Sequence, residues 1–207
     1  MKEMFSPNML KTFELCSKKF YFKYVKNISM PVNDEVFELG KNIHALASYY
    51  LRKENLYKME QSLTEGEKVL WEYLKGVKYF SYETVATEYN LSVKIASSVF
   101  GGRLDALVKS GDTYYILDYK TGAVPKNARY DYQTMIYMLA VRAFFQTDKV
   151  IFVYLDLKNK SEVQIELTKD LVKDYESRLQ KIVQDIAGEN FLKKAEACKC
   201  EYNMICY

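Results

Sequence analysis

Four consecutive large apolar residues, Tyr114-Tyr115-Ile116-Leu117, run directly into an acid, Asp118. A strand with one face in water alternates apolar and polar residues, so an unbroken apolar run indicates a strand that is buried on both faces. Residues 113–119 are therefore predicted to form an inner strand with helices packed on either side. An acid beside such a strand is unusual because a buried, unpaired charge is costly.

Hydrophobic periodicity divides the rest of the chain into helices and strands. Helices are predicted over residues 6–25, 34–53, 62–76, 127–146 and 168–187, and strands over residues 83–109, 149–156 and 161–167. Ser6 and Asp34 are predicted to cap the first two helices, and the third is predicted to end at Gly76. A turn at Gly101-Gly102 is predicted to divide residues 83–109 into two strands.

This order of elements predicts an α/β fold with a mixed central sheet flanked by helices. The 207 residues fit one domain, and the 49% of apolar residues is enough for a core. Within residues 1–207 we expect a helical part over 1–80, a sheet core that carries the site over 81–167, and a C-terminal helix with a cysteine tail over 168–207.

Charge and composition are compatible with a nucleic-acid partner without requiring one. The net charge of +3 and the pI near 8.4 are only mildly basic. No secretory signal is visible, and no apolar run approaches the ~20 residues of a membrane helix, so a cytoplasmic protein without a membrane partner is expected. The chain lacks a G-x4-G-K-[ST] loop, so a helicase motor would be a separate protein.

Two carboxylates and an ammonium group are predicted to converge at one end of the sheet. The two-residue period of a strand puts Asp118 and Lys120 on one face, and the turn at residues 110–112 returns Asp105 to their neighbourhood. Carboxylates bind Mg²⁺ or Mn²⁺, which polarises a phosphate and acidifies a water, and Lys120 can orient that water or stabilise developing charge. The set suits phosphodiester hydrolysis. The alternative is two turn aspartates beside a solvated lysine.

Further polar side chains can contribute to the same site. His44, the only histidine, is a candidate third metal ligand, although a helical histidine is also often a packed or surface residue. Gln133 and Tyr137 are four residues apart on a predicted helix, so they share a face that can hold a phosphate or a base edge, or merely belong to a mixed helix. For Glu88 the sequence favours an ordinary exposed strand acid over a site residue.

Cys198, Cys200 and Cys206 are clustered near the C-terminus, and Cys16 lies on the first predicted helix. In a reducing compartment such clustering indicates a metal site, with Cys16 as the fourth ligand. An iron–sulfur cluster, a zinc ion and inert thiols are the alternatives.

A basic and aromatic stretch, residues 18–24, follows Cys16 and interleaves lysines with rings. Lysines and stacking rings together suit single-stranded DNA. An amphipathic helix with a solvated lysine face explains the same pattern equally well.

Taken in order, these motifs resemble the RecB-like branch of the PD-(D/E)xK nucleases over nearly the whole chain. The matching motifs are Ser6-Pro7 with Leu15-Cys16-Ser17-Lys18-Lys19-Phe20-Tyr21, Gly40-x3-His44, Gly102-Arg103-Leu104-Asp105, Asp118-Tyr119-Lys120-Thr121-Gly122, Gln133-x3-Tyr137 and the cysteine tail. Within this branch the chain is most similar to the iron–sulfur members, namely the CRISPR-associated nuclease of spacer acquisition, the AddB nuclease domain and the exonuclease V group.

The resemblance implies a restriction-endonuclease-like fold with a defined catalytic centre. His44, Asp105, Asp118 and the carbonyl of Tyr119 would bind the catalytic Mg²⁺ or Mn²⁺. Lys120 would be the catalytic lysine, acting with the two aspartates.

The resemblance also implies DNA contacts and a cluster. Gln133 and Tyr137 would hold DNA. A [4Fe–4S] cluster would join the tail to the first helix through four ligands, namely Cys16, Cys198, Cys200 and Cys206. One departure is the single residue between Cys198 and Cys200, where the family has two.

The expected activity is that of a metal-dependent deoxyribonuclease, an exonuclease on single-stranded ends or flaps in recombination, repair or CRISPR spacer acquisition. A helicase or CRISPR integrase proteins are the expected protein partners. The alternatives are a non-catalytic DNA-binding or scaffolding subunit that keeps the nuclease fold, and a zinc-binding interaction domain. The intact set of Asp105, Asp118 and Lys120 favours the enzyme, because an inactive site would be free to lose them.

Overall fold

The computed structural model describes residues 4–31, 38–193 and 200–206. Its helices are α1 (Pro7–Leu15), α2 (Ser17–Phe20), α3 (Glu38–Leu51), α4 (Tyr57–Gln61), α5 (Glu65–Lys75), α6 (Tyr132–Phe145) and α7 (Lys169–Ala187). Its strands are β1 (Glu83–Ile95), β2 (Ser98–Ser110), β3 (Thr113–Lys120), β4 (Val150–Asp156) and β5 (Ser161–Glu166). The predicted strand at residues 113–119 and the predicted helices at 127–146 and 168–187 agree with β3, α6 and α7 to within a few residues.

The five strands form one mixed sheet in the order β1-β2-β3-β4-β5. The first three strands are antiparallel neighbours, β4 runs parallel to β3, and β5 is antiparallel to β4. The parallel step requires a crossover, which α6 supplies. The α/β class and the inner position of β3 are thereby confirmed.

Helices cover both faces of the sheet. One hydrophobic cluster joins the β3 residue Ile116 to α6 and α7, and the other joins Leu117 to α3 and α5. Consecutive residues of β3 therefore enter different cores, which explains the absence of polar alternation. Within the described ranges, no helix combines the length and apolar character needed to cross a bilayer.

The glycine pair at 101 and 102 was wrongly predicted as a turn. It lies inside β2, and the chain reverses at Ala96 and Ser97, between Ile95 and its partner Ser98. Close packing requires both glycines, because a Cβ on Gly101 would lie 2.5 Å from the Leu91 carbonyl oxygen. A Cβ on Gly102 would lie 2.7 Å from the Tyr137 hydroxyl oxygen.

The predicted first helix, residues 6–25, is divided at Cys16. Ser6 caps α1 as predicted, accepting a hydrogen bond from Met9 N. Cys16 is extended (φ −164°, ψ 111°), and α2 then continues into a π-helical turn over Tyr21–Val25. The break lets Phe20 turn inward, where its ring contacts those of Phe13, Tyr24 and Phe191.

The predicted helix over residues 62–76 is shorter than expected and has a separate helix, α4, before it. Thr64 and Glu67 form a capping box that starts α5 at Glu65, while Gly76 follows its last residue as predicted. Asp34, the predicted cap of the helix that contains His44, lies outside the described residues.

Candidate functional site

The candidate site lies where β2 and β3 stop pairing and separate, a place that we call the fork. Their ladder runs from Ser110 paired with Thr113 to Ala106 paired with Leu117, and it ends there. At the next position, the backbone N–H of Tyr119 donates to Asp105 Oδ2 at 3.0 Å instead of to a neighbouring backbone. The fork therefore brings Asp105 close to the end of β3, as the sequence predicted.

His44 enters the fork from α3. The imidazole Nδ1 lies 3.2 Å from Asp105 Oδ1, and Nε2 lies 2.9 Å from the carbonyl oxygen of Tyr119. The N-terminal end of α3 approaches β3 closely, since a Cβ on Gly40 would lie 3.3 Å from Thr121 Oγ1. This approach places His44, one turn later, over the fork.

The electrostatics of His44 reflect its two acceptor neighbours. Burial lowers its pKa, but the hydrogen bond and charge of Asp105, together with the Tyr119 carbonyl, outweigh burial and raise the pKa above its ordinary value. Because a carbonyl and a carboxylate both accept hydrogen bonds, this geometry suits a protonated ring. A metal ion that binds here must displace that proton.

Asp118, Lys120 and Gln133 form a closed polar triangle. Lys120 Nζ lies 2.7 Å from Asp118 Oδ1, Gln133 Nε2 donates to Asp118 Oδ2 at 2.9 Å, and Lys120 Nζ donates to Gln133 Oε1 at 3.1 Å. Asp118 is 4% exposed. Burial and then the charge of Asp105 raise the pKa of Asp118 to about 6, against the opposing effects of Lys120 and His44.

The first turns of α6 hold Gln133 and Tyr137 beside the fork. The cap residue Asp131 accepts a hydrogen bond from Gln133 N and pairs with Lys11 of α1 at 2.7 Å. Tyr137, only 5% exposed, donates its hydroxyl to the Arg103 carbonyl at 3.0 Å. Both side chains therefore reach the site region from one helix, and their role as DNA contacts stays a prediction.

Glu88 lies beside the candidate site, whereas the sequence favoured an ordinary exposed strand acid. One carboxylate oxygen of Glu88, one of Asp105 and one imidazole nitrogen of His44 all lie within 4.8 Å of one another. The expectation of an ordinary exposed strand acid is wrong, because Glu88 is half-buried in this cluster. No local sequence signal identifies it, because its position depends on the β1–β2 register, in which the neighbours Thr87 and Tyr89 pair with Ala106 and Leu104.

The conformation of Glu88 is unusual for a strand acid. Its φ is +48°, a left-handed value that costs a non-glycine residue about 1–3 kcal/mol. The carboxylate also forms an ion pair with Arg103, whose Nε lies 2.9 Å from Oε2. Surrounding contacts, including this pair, hold Glu88 in place beside Asp105.

Three of the four cysteines lie in the described part of the chain. Cys16 and Cys200 are half-buried, and Cys206 is buried. Cys198 lies outside the described residues. Burial lowers the pKa of Lys19, but the hydrogen bond and charge of Glu201, with a smaller contribution from nearby Cys200, raise it above its ordinary value.

The C-terminal segment folds back on the residues that follow Cys16. Its contacts are Leu192 O with Ser17 Oγ (3.2 Å), Glu201 with Lys19 (2.9 Å), the ring of Tyr202 with that of Phe22 (5.7 Å), and Tyr202 Oη with Ile28 O (2.8 Å). These contacts bring the segment that carries Cys200 and Cys206 to the N-terminal helices.

Comparison with known proteins agrees with this geometry. The family model of the PD-(D/E)XK nuclease superfamily matches residues 4–207. The CRISPR-associated exonuclease Cas4 of Francisella tularensis subsp. novicida (strain U112) is 25% identical over 136 residues, which are 61% of this chain and 66% of that relative. The crystal structure of a "Putative exonuclease" from Eubacterium rectale shares the fold, with a TM-score of 0.61 and 13% identity over 96% of this chain and 86% of that one. Because the family model covers nearly the whole sequence, the chain belongs to the PD-(D/E)XK nuclease superfamily.

Proposed function

We propose that the protein is a divalent-metal-dependent deoxyribonuclease that hydrolyses phosphodiester bonds. The convergence of Asp105, Asp118, His44 and Lys120 at one fork carries this proposal, because these side chains come from three separate elements. A lysine beside acidic metal ligands is the combination that phosphate hydrolysis needs.

The donor set fits Mg²⁺ or Mn²⁺. Carboxylate and carbonyl oxygens with one imidazole nitrogen suit these hard cations. Ligand atoms at about 2.1 Å from one ion lie up to ~4 Å apart, so the group of His44, Glu88 and Asp105, within 4.8 Å, needs only small side-chain movements. We assign His44, Asp105, Asp118 and the Tyr119 carbonyl as ligands, with Glu88 at their edge.

The side chains have distinct tasks in this proposal. When bound, the metal ion withdraws charge from the phosphate and acidifies a water near it. Lys120, less buried than its partner Asp118, stabilises the negative charge that grows on the phosphate oxygens. Gln133 holds both side chains in register, and with Tyr137 it forms the wall of the site against which we place the DNA.

We infer that the substrate is a single-stranded end or flap. Action at an end is supported by the name of one relative, a CRISPR-associated exonuclease. The preference for a single strand is supported by the resemblance of the motifs to the RecB-like nucleases. Recombination, repair and CRISPR spacer acquisition are the corresponding processes, with a helicase or CRISPR integrase proteins as partners.

We further propose a [4Fe–4S] cluster on Cys16, Cys198, Cys200 and Cys206. The packing of the tail on the segment after Cys16 supports it, because that packing carries Cys200 and Cys206 to the N-terminal helices. A cluster of several irons accepts closely spaced cysteines by using a different iron for each.

A cleavage assay tests the proposed function. End-labelled single-stranded and double-stranded DNA is incubated with Mg²⁺, with Mn²⁺ or with EDTA, and the product ladder is resolved. We expect metal-dependent products that shorten from an end of the single strand. DNA binding without products under all metal conditions would instead identify a non-catalytic DNA-binding subunit that keeps the nuclease fold.

A further inference from the structure

A strongly basic segment lies outside the metal site. Residues 15–31 contain four lysines and neither aspartate nor glutamate. The segment forms α2 and the π-helical turn Tyr21–Val25 that continues it. Its positive charge is therefore concentrated on two consecutive helical turns.

Among the residues that the structure describes, one of these lysines forms an ion pair with a carboxylate. Lys19 pairs with Glu201 at 2.9 Å. Lys18, Lys23 and Lys26 form no ion pair with a carboxylate in residues 4–31, 38–193 and 200–206. Three ammonium groups thus have no ion-pair partner in the described part of the chain, although the charge of Lys23, like the hydrogen bond and charge of Lys19, helps to lower the pKa of Glu201 against the effect of burial.

The same three lysines lie against aromatic rings. Lys18 Nζ is 5.6 Å from the ring centre of Tyr21 and 5.4 Å from that of Phe22. Lys26 Nζ is 5.5 Å from the ring centre of Tyr21, and Lys23 Nζ is 5.5 Å from that of Tyr24. Ammonium groups therefore lie beside aromatic rings throughout residues 18–26, which we call the lysine–tyrosine surface.

The rings of this surface are supported from behind. Tyr21 packs on Phe191 with ring centres 5.2 Å apart, and Phe22 stacks on Tyr202 at 5.7 Å. Tyr202 is buried, and the rings of Tyr21, Phe22 and Phe191 are half-buried. The packing therefore holds an aromatic face in place and leaves part of it exposed to solvent. A base that stacks on such a face would displace a lysine toward the adjoining phosphates.

We propose that the lysine–tyrosine surface binds single-stranded nucleic acid, and this proposal rests on the proposed function, since the strand would be the one cut at the fork. Phosphates match the unpaired ammonium groups, and bases match the supported rings. An acidic peptide would use the lysines but not the rings. The surface follows α1, whose Lys11 pairs with Asp131 two residues before Gln133.

Two triple variants of equal charge test the surface. One replaces Lys18, Lys23 and Lys26 with glutamine, and the control replaces three exposed lysines elsewhere, namely Lys58, Lys158 and Lys173. Each variant lowers the formal net charge of +3 by three. Binding of fluorescent oligo-dT of about 20 nucleotides is measured by anisotropy in EDTA over a range of salt concentrations.

We expect the surface variant to bind oligo-dT at least about tenfold more weakly than the wild type. The slope of the logarithm of the binding constant against the logarithm of the salt concentration should shrink by about 2, because each lost phosphate contact removes ~0.7. The control should keep the wild-type slope. Equal losses in both variants, or competition by polyglutamate as strong as by oligo-dT, would overturn the proposal. A strand of equal length without bases should bind more weakly than oligo-dT, and equal binding would also overturn the stacking on which the proposal relies.

Cleavage by the wild-type chain separates this proposal from the proposed function. A six-nucleotide strand cut in the presence of Mn²⁺ reports on the metal site alone. If cleavage fails while the two triple variants differ in binding, the nuclease assignment is wrong and the surface stands. If cleavage succeeds while they do not differ, the surface is wrong.

Discussion

The backbone N–H of Tyr119 and the carboxylate of Asp105 form a 3.0 Å hydrogen bond where β2 and β3 separate. A side chain here takes the place of a backbone acceptor, so Asp105 both ends the ladder and contributes to the candidate site. Replacing Asp105 would therefore disturb strand geometry as well as chemistry. Asp118 and Lys120 offer cleaner tests, since neither side chain holds the two strands together.

Asp118→Asn is expected to abolish cleavage without lowering the melting temperature. Burial raises the pKa of the Asp118 carboxyl group, so its negative charge is costly in the folded state. The amide oxygen of asparagine can still accept the hydrogen bond from Gln133. Lys120→Met should reduce the cleavage rate by about 10²–10³, the usual cost of removing a group that stabilises transition-state charge.

The exposed acid Asp112, paired with Lys149, provides the control through Asp112→Asn. Product formation is measured with saturating Mn²⁺ and melting by calorimetry. Wild-type rates in the Asp118 and Lys120 variants would remove both residues from the catalytic centre.

Glu88→Gln is expected to weaken Mn²⁺ binding about tenfold or more, because the carboxylate lies within the ligand cluster with His44 and Asp105. Arg103→Gln should instead strengthen Mn²⁺ binding, since it frees the Glu88 carboxylate from an ion pair. Isothermal titration with Mn²⁺ measures both changes. Unchanged affinity in Glu88→Gln would make Glu88 a partner of Arg103 and nothing more.

Gly102→Ala is expected to destabilise the fold by about 1–3 kcal/mol, because its new methyl group would lie 2.7 Å from the Tyr137 hydroxyl oxygen. Adding Tyr137→Phe should recover part of that loss by removing the oxygen. Gly66→Ala is the matched control, since no atom lies within 4 Å of the added group and Gly66 is helical. It should stabilise the protein by about 0.5–1 kcal/mol. Urea unfolding measures all variants, and additive effects in the double variant would contradict the proposed contact.

Glu67→Gln is expected to change how stability depends on pH. Hydrogen bonds from Asn42 and Thr64 lower the pKa of the buried Glu67 below its ordinary value. A lowered folded pKa stabilises the protein above the unfolded pKa, and this contribution disappears as the pH falls through the folded pKa.

The variant should therefore be about 1–2 kcal/mol less stable than the wild type at pH 7, and the difference should shrink below about pH 4. Urea unfolding at pH 7 and below about pH 4 measures the difference in unfolding free energy between the variant and the wild type. A constant difference across the range would show that the carboxylate charge contributes nothing.

Cys16→Ser and Cys200→Ser are each expected to remove the brown colour of protein purified without oxygen. The wild type should contain about four irons and four sulfides per chain. Because Tyr202 and Glu201 still contact the N-terminal segment, the tail should become more sensitive to protease without being released. One zinc and no iron in the wild type would replace the cluster with a zinc site.

Local sequence determined much of this protein. The apolar run before Asp118 predicted the inner strand, and strand period put Asp118 and Lys120 on one face, where Gln133 of α6 meets them. Such features depend on residues close in sequence, so periodicity and turn chemistry suffice to predict them.

Tertiary structure alone decided the rest. The glycines at 101 and 102 resemble a turn in the sequence. They are required because Leu91 and Tyr137, which are distant in sequence, leave no room for a side chain at these two positions. Glu88 resembles an exposed strand acid until the β1–β2 register sets it near Asp105 and His44 reaches it from α3. A residue's neighbours across a sheet depend on how strands pair and helices pack, and local propensity contains no record of either.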